Sequence, residues 1–153
     1  MRPRDIVSPA TRSRMMKAVK QANTRAEIEV RELVTALGGR YRLGNRDLPG
    51  SPDLANRTKR WAVFVNGCFW HGHKNCSKTK GGAGSRIPNV RHHFWRNKLQ
   101  DNRRRDARKC RELRHLGFRV VIVWECQLRN ISQLRGRLLR FLSSHAGPKQ
   151  GSQ

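Results

Sequence analysis

The sequence predicts an α/β domain in which helices flank a small mixed sheet. Two apolar runs, residues 60–66 and 118–125, have the length and the valine-rich, aromatic composition of buried strands. The segment between them, residues 92–115, repeats apolar residues near one helical stripe. Two strands joined by a helix of this length should be parallel neighbours with a right-handed crossover. At 153 residues, the chain is long enough for one domain with its own core.

The N-terminal part consists of a basic arm, residues 1–10, and two predicted helices. Ser8, which a proline follows, can cap a short first helix. A second helix begins at Thr24, whose spacing from Glu27 matches a capping box, and ends at Gly38. Its buried face is the apolar series Val30, Leu33, Val34 and Leu37.

The middle of the chain predicts a β-hairpin that leads into a cluster of cysteines and histidines. Residues 41–43 are predicted to form a short strand, and residues 53–56 and 60–66 the two hairpin strands around a polar turn. Residues 78–90 contain several glycines and show no periodicity, which indicates a mobile basic loop.

The C-terminal part supplies the long helix, the last strand and a final helix. The helix at residues 92–115 is rich in arginine outside its apolar stripe, which indicates a solvated surface facing phosphate. The last strand ends next to Cys126, and the final helix covers residues 132–142. The domain therefore spans residues 11–142. The Ser-, Gly- and Gln-rich tail at residues 143–153 is predicted to be disordered.

The composition is strongly basic, with 34 Lys and Arg residues against 10 Asp and Glu residues and a formal net charge of +24. This balance predicts a polyanionic partner. Nucleic acid is favoured over a membrane surface because the charge is spread along the chain and no apolar stretch is long enough to span a bilayer. The basic N-terminus lacks the apolar segment of a secretory signal. We therefore expect a cytoplasmic protein that associates with the nucleoid through DNA.

Four potential metal ligands, Cys68, His71, His73 and Cys76, follow the second hairpin strand closely. Sulfur and imidazole donors at this density suit zinc, whereas the alternative is a surface turn with incidental His and Cys. Parallel pairing of the two long strands would bring Cys126 to the same end of the sheet, where it can complete a set of four. We choose His73 over His71 for economy, since four ligands suffice and the remaining histidine is a candidate general base.

Two acidic residues and three aromatic residues are further candidates for function. Asp53 can hold Mg²⁺ at the edge of the sheet, as phosphodiester hydrolysis requires, or it can simply end a Pro-Gly-Ser-Pro-Asp turn. Glu27 can face the same edge, or act only as a helix cap. The aromatic residues are either core residues or wedges that enter DNA between base pairs. They are Phe69, Trp70 and Trp95.

Five motifs, taken in order, resemble those of the very short patch repair endonucleases. They are P-G-S-P-D at 49–53, F-V-N-G-C-F-W-H-G-H at 64–73, F-W-R-N-K at 94–98, N-R-R-R-D at 102–106 and V-I-V-W-E-C at 121–126. The resemblance covers residues 8–142 and implies a restriction-endonuclease-like core. Members of that family nick duplex DNA on the 5′ side of the thymine in a T:G mismatch, which arises when 5-methylcytosine deaminates.

The same resemblance implies a role for each candidate residue. Asp53 and the backbone carbonyl of Val65 would coordinate catalytic Mg²⁺, and His71 would act in general acid–base chemistry. Glu27 and Asp106 would complete the polar site, and the N-terminal segment would clamp the duplex. Structural zinc would be bound by Cys68, His73, Cys76 and Cys126, and the DNA wedge would be formed by Phe69, Trp70 and Trp95.

The sequence also departs from the family pattern at two places. The gap between His73 and Cys76 is slightly longer than expected, and Asn66 stands where some members carry another polar residue, including histidine. We expect a monomer that acts on duplex DNA with a T:G mismatch, followed by downstream repair proteins. Two alternatives are a non-catalytic zinc-containing nucleic-acid binding protein and a restriction-type nuclease without mismatch specificity.

Overall fold

The computed structural model of the protein contains a helix, a hairpin, a long helix, a third strand, a 3₁₀ helix and a final helix, in that order. The elements are α1 (Arg25–Ala36), β1 (Leu54–Asn56), β2 (Trp61–Asn66), α2 (His92–His115), β3 (Arg119–Trp124), the 3₁₀ helix (Glu125–Arg129) and α3 (Ile131–Ser143). The structure describes residues 8, 10–11, 14, 23–68, 71–73, 76 and 92–144.

The three strands form one mixed sheet in the order β1-β2-β3, as the sequence predicts. β1 pairs with β2 in antiparallel fashion, with Leu54 opposite Val63. β2 pairs with β3 in parallel over its whole length, from Trp61 opposite Arg119 to Asn66 opposite Trp124. The two parallel strands therefore end side by side, and the residues that follow them emerge at the same edge. The handedness of the α2 crossover stays a prediction.

Two apolar clusters cover the two faces of the sheet. Trp61 and Val63 of β2 face α1 and α3, where the core includes Val30, Val34, Leu134 and Leu138. Because side chains alternate along a strand, Ala62 and Phe64 face the opposite side, towards α2. That second cluster contains Leu48, Ala55, Ala62, Leu113 and Phe118. The parity of each residue in β2 thus decides which helices it contacts.

The N-terminus of α1 is capped in a way that differs from the predicted capping box by one residue. Thr24 Oγ1 accepts a hydrogen bond from Glu27 N at 3.3 Å, as predicted. Glu27 Oε2, however, accepts from Asn23 N at 2.8 Å instead of from Thr24 N. Asn23 has a positive φ of 55°, and this turn brings its N–H within reach of the carboxylate.

Several sequence-based expectations differ from the structure or lie outside the described residues. The strand predicted at residues 41–43 is wrong, because only an isolated bridge between Arg42 and Ala55 forms there. Ala10, Thr11 and Arg14 are helical, which is all that the structure describes of the predicted first helix. The loop 78–90 lies outside the described residues, as do most of the arm 1–10 and of the tail 143–153. None of the described helices combines the length and apolar character needed to cross a membrane.

Candidate functional site

The four predicted zinc ligands meet at the end of the parallel strands. Cys68 follows β2 by two residues, and Cys126 lies in the 3₁₀ helix that follows β3. Together with His73 and Cys76 they place one ligand atom each within 4.8 Å of one another. Three sulfurs and one imidazole nitrogen at this separation can hold a single tetrahedral metal ion. The sequence-based grouping of these four residues therefore agrees with their positions.

The two histidines of this segment have separate surroundings. His73 stacks on the indole of Trp124, with ring centroids 4.1 Å apart, and its Nδ1 lies 3.5 Å from Cys126 Sγ. His71 instead contacts Asp106 of α2, with 2.6 Å between Nδ1 and Oδ2. The structure thus assigns His73 to the metal cluster and leaves His71 outside it.

Two thiols of the cluster, Cys68 and Cys126, have raised pKa values when no metal ion is bound. Burial raises the pKa of Cys68 to about 12, with the neighbouring Cys126 and Cys76 thiols adding to the effect. Burial likewise raises the pKa of Cys126. A metal ion reverses this preference because a coordinated thiol is deprotonated. Buried thiols grouped in this way are typical of a metal site.

An open cleft of about 1330 Å³ lies beside this cluster, between the sheet edge and α2. It brings together residues that are far apart in the sequence, from the start of α1, the loop before β1, the end of β2 and the middle of α2. All four predicted catalytic side chains line it, as does the predicted carbonyl ligand. These are Glu27, Asp53, Val65, His71 and Asp106.

Asp53 is the acidic residue at the sheet edge of the cleft. It directly precedes β1, and its Oδ2 accepts a hydrogen bond from Val65 N at 2.7 Å. Burial raises the pKa of Asp53 to about 6, an effect that the Val65 N–H opposes and the nearby Glu27 carboxylate strengthens. Ionisation of Asp53 is unfavourable in these surroundings, and a bound cation would stabilise the ionised form.

His71 and Asp106 form the second polar group of the cleft. Both side chains are about one-third exposed, at 32% and 34%. The edge of the His71 ring also faces the indole of Trp124, with centroids 6.5 Å apart. When one ring nitrogen is held by a carboxylate, the other nitrogen is the one available for proton transfer. The pair therefore has the arrangement of an oriented general base.

Glu27 caps α1 and also lies at the cleft. Its side chain caps α1 through Asn23 N and lies 3.5 Å from the Arg31 guanidinium. It is only 7% exposed and still borders the cleft. The carboxylate is consequently fixed in place, with its negative charge near Asp53.

Several cleft residues were not identified as site residues from sequence. Lys98, Arg105 and Lys109 line the wall formed by α2, and their spacings of seven and four residues place them on one helical face. Lys109 Nζ is held by Glu112 Oε2 at 3.1 Å. Asn66, at the end of β2, also lines the cleft. The seven–four spacing was a usable signal for the cations, but the abundance of arginine in this helix masked it.

The predicted aromatic wedge is only partly described. Phe69 and Trp70 lie outside the described residues. Trp95, near the start of α2, makes an edge contact with Phe94 at 5.7 Å, and Lys98 Nζ lies 5.3 Å from its ring centroid. Phe94 is 52% exposed. Aromatic rings beside a cation are suited to contact with nucleotides.

Comparison with known proteins identifies the family. A family model described as DNA mismatch endonuclease Vsr matches residues 4–78. A type II nicking enzyme, V.XorIIP of Xanthomonas oryzae pv. oryzae, is 41% identical over 138 residues, which cover 90% of this chain and 96% of that protein. The chain belongs to the Vsr family.

Two further relatives agree with this assignment. The DNA mismatch endonuclease Vsr of Escherichia coli K12 is 38% identical to this Vsr-family chain over 135 residues, covering 88% of this chain and 82% of the relative. The type II nicking enzyme V.NmeAIP of Neisseria meningitidis is 36% identical over 138 residues, covering 90% and 94% respectively. The Vsr-family protein described here is accordingly a DNA endonuclease.

Proposed function

We propose that this protein nicks one strand of duplex DNA on the 5′ side of the thymine in a T:G mismatch and so initiates repair of deaminated 5-methylcytosine. The observation that carries the proposal is the joining, in one cleft, of Asp53 with the His71–Asp106 pair, next to the metal cluster. The name of the matching family model and of the E. coli relative supports mismatch specificity. The relatives named as nicking enzymes support cleavage of a single strand.

Asp53 and the backbone carbonyl of Val65 would hold Mg²⁺ in a restriction-endonuclease-like core. Carboxylate and carbonyl oxygens are the ligands that Mg²⁺ prefers, and the partly buried Asp53 is a carboxylate whose charge a cation would offset. When bound, the ion supplies positive charge at the phosphoryl and leaving oxygens of the substrate. Glu27, fixed by its capping hydrogen bond, adds negative charge that favours a cation at this place.

His71 would accept a proton from the attacking water through the ring nitrogen that Asp106 does not contact. Asp106 lies 2.6 Å from Nδ1, which fixes the orientation of the imidazole. The lysine and arginine side chains on α2 would face the phosphates of the bound strand. The residues of this chain thereby provide the base, its orienting carboxylate and the positively charged wall.

The metal cluster would bind structural zinc and position the catalytic loop. His71 lies between Cys68 and His73 in sequence, so a zinc ion on the four ligands would fix the backbone on both sides of it. The same loop would carry Phe69 and Trp70, which together with Trp95 would wedge into the duplex beside the mismatch. The basic N-terminal segment would clamp the DNA. We propose that the protein acts as a monomer in the cytoplasm.

Cleavage of matched duplexes tests this function. The protein is incubated with Mg²⁺ and labelled T:G, T:A and C:G duplexes of the same sequence, and each break is mapped to its strand and position. We expect one nick 5′ of the mismatched thymine and intact T:A and C:G duplexes. Equal cleavage of all three would show a restriction-type nuclease without mismatch specificity. Binding without cleavage of any duplex would favour a non-catalytic zinc-containing protein.

A further inference from the structure

Asn66 is a largely buried polar residue at the end of β2. It is 7% exposed and occupies the last position of β2, opposite Trp124 of β3. Its backbone belongs to the sheet. Among the residues that the structure describes, none forms a hydrogen bond with the Asn66 carboxamide. Neither carboxamide atom of Asn66 is among the fully enclosed side-chain atoms that lack a partner, so the carboxamide keeps accessible surface and can hydrogen-bond to a molecule in the cleft.

The position of Asn66 in the strand directs it into the cleft. It shares the parity of Ala62 and Phe64, which face α2, and not that of Val63, which faces α1 and α3. It lines the cleft together with Asp53 and His71. Asn66 therefore faces the cleft in which the proposed substrate phosphate would lie.

The chemistry of the surrounding groups defines what Asn66 can bind. Asp53 and Glu27 are carboxylates, which when ionised only accept hydrogen bonds and would repel a phosphate in the absence of a cation. The carboxamide nitrogen of Asn66 is an uncharged donor, and the non-bridging oxygens of a phosphodiester are acceptors. An uncharged donor can lie beside these carboxylates without competing with a cation for them.

We propose that Asn66 is a substrate-contacting residue, whose Nδ2 donates a hydrogen bond to a non-bridging oxygen of the scissile phosphodiester. This inference rests on the proposed nuclease function and adds a contact to it. Because a carboxamide does not titrate, the contact persists at every pH at which the protein is folded. Proton transfer in the cleft is then left to His71.

Single-turnover cleavage of three substrates tests the contact. They are the T:G duplex with an ordinary scissile phosphate and its two phosphorothioate diastereomers, in which sulfur replaces one non-bridging oxygen. We expect Asn66→Ala to lower the cleavage rate of the ordinary duplex by about 10²-fold, as loss of one preorganised donor does, with unchanged DNA affinity. One diastereomer carries sulfur in place of the oxygen that Nδ2 contacts. Because sulfur is a weak acceptor, the wild-type contact to it is already weak, and Asn66→Ala should lower the cleavage rate of this duplex at most about tenfold.

Asn56→Ala is the matched control. Asn56 belongs to β1 at the other end of the sheet, and both ends of its amide are used within the protein. Its Nδ2 donates to Arg40 O at 2.8 Å, and its Oδ1 accepts from Lys59 N at 2.7 Å. We expect this control to lower the melting temperature and to leave the cleavage rates of all three substrates unchanged. If Asn66→Ala does not fold, Asn66→Leu has a similar shape, lacks the donor, adds no charge and serves the same comparison.

The outcomes separate this contact from the proposed function. Wild-type protein that cuts no duplex would overturn both. Wild-type cleavage with an equally fast Asn66→Ala variant would overturn the contact alone. So would a loss of equal size on all three substrates, because an effect on folding or metal binding does not depend on a single phosphate oxygen.

Discussion

At the scale of single residues, the cleft places two carboxyl groups in different surroundings. Asp53 is partly buried, and this burial raises its pKa to about 6. Asp106 is about one-third exposed and lies against an imidazole nitrogen. Such a difference allows two chemically identical groups to do different work, one binding a cation and the other orienting a base.

The raised pKa of Asp53 predicts a pH dependence of stability. The folded protein favours protonated Asp53. The contribution of this group to the free energy of unfolding is therefore complete below pH 3.8, the usual pKa of an Asp side chain, and is lost as the pH rises through about 6. We expect wild-type protein to lose about 3 kcal/mol over this interval relative to Asp53→Asn, at about 1.4 kcal/mol for each pH unit between the two pKa values. Urea unfolding of both proteins at several pH values, without Mg²⁺, measures this difference. A difference that does not change with pH would contradict the assignment.

Orientation of His71 by Asp106 predicts the effect of an isosteric change. Asp106→Asn should fold normally but lower single-turnover cleavage about 10³-fold or more, because an amide can bind the wrong imidazole tautomer. Nitrogen NMR of the His71 ring should show the altered tautomer. Asp101→Asn, an exposed residue on the same helix, is the control and should cut at the wild-type rate. Wild-type activity of Asp106→Asn would exclude this role.

At the scale of secondary-structure elements, the main feature is the edge where β2 and β3 end together. Parallel pairing places the segment after β2 and the 3₁₀ helix after β3 side by side. The metal cluster joins these two segments, so it links the sheet edge to the loop that carries His71. A metal ion bound by this cluster would hold the two segments together, and its removal should disturb the cleft as well as lower the stability.

Removal of the ligand after β3 tests this link. We expect Cys126→Ser to reduce bound zinc from about one ion per chain to a small fraction and to lower both the melting temperature and the cleavage rate. Elemental analysis and thermal unfolding measure these effects. Cys110→Ala removes a buried thiol outside the cluster and should retain its zinc. If Cys126→Ser kept a full complement of zinc, the ligand set would be wrong.

The loop before β1 approaches α2 closely at Gly50. A Cβ at this position would lie 2.9 Å from Lys109 Cβ and 3.1 Å from the Phe64 ring, and φ is +76°. Gly50→Ala should therefore cost about 2–4 kcal/mol through strain and overpacking. Gly44→Ala has a similar φ of +68° and nothing within 4 Å, so it should cost only about 1–2 kcal/mol. Denaturant unfolding compares the two, and equal losses would exclude the close approach as the cause.

Sequence periodicity could predict the elements, because strand and helix periods are local. It could also predict one edge of the site, because two strands joined by a helix generally pair in parallel. These rules correctly placed Cys126 beside Cys68. The contact between His71 and Asp106 was not derivable from these rules, since it depends on how α2 is rotated and shifted against the sheet. Neither was the close packing of Gly50 on Lys109. The strand predicted at residues 41–43 failed because a three-residue run has too little periodic signal to compete with a turn.

At the scale of the whole molecule, the excess of positive charge governs how the protein meets DNA. The net charge of +24 is distributed over the chain, whereas the cleft itself contains several carboxylates. A basic surface attracts the phosphates of the duplex at many points, whereas the carboxylates of the cleft favour a cation. General affinity and cleavage should therefore respond to different substitutions.

The excess of positive charge predicts a strong effect of salt concentration on DNA binding. With about six phosphate contacts, DNA affinity should fall about 10³-fold between 50 and 200 mM salt. Arg105→Ala, in the cleft wall, should reduce the slope of log affinity against log salt by about one. Arg135→Ala, an exposed residue of α3 on the other side of the sheet, should leave the slope unchanged. Fluorescence anisotropy over a salt series measures both, and a slope independent of Arg105 would place it outside the interface.

The joining of the metal ligands across the α2 crossover also has a consequence for how the protein matures. Cys68, His73 and Cys76 are close in sequence, but Cys126 joins them only after β3 has paired with β2. A newly made chain can thus offer three ligands early and the fourth only when its sheet is complete. Tight metal retention would then act as a checkpoint of folding. The proposed catalytic loop, which lies between these ligands, would then become rigid only at the last step of folding.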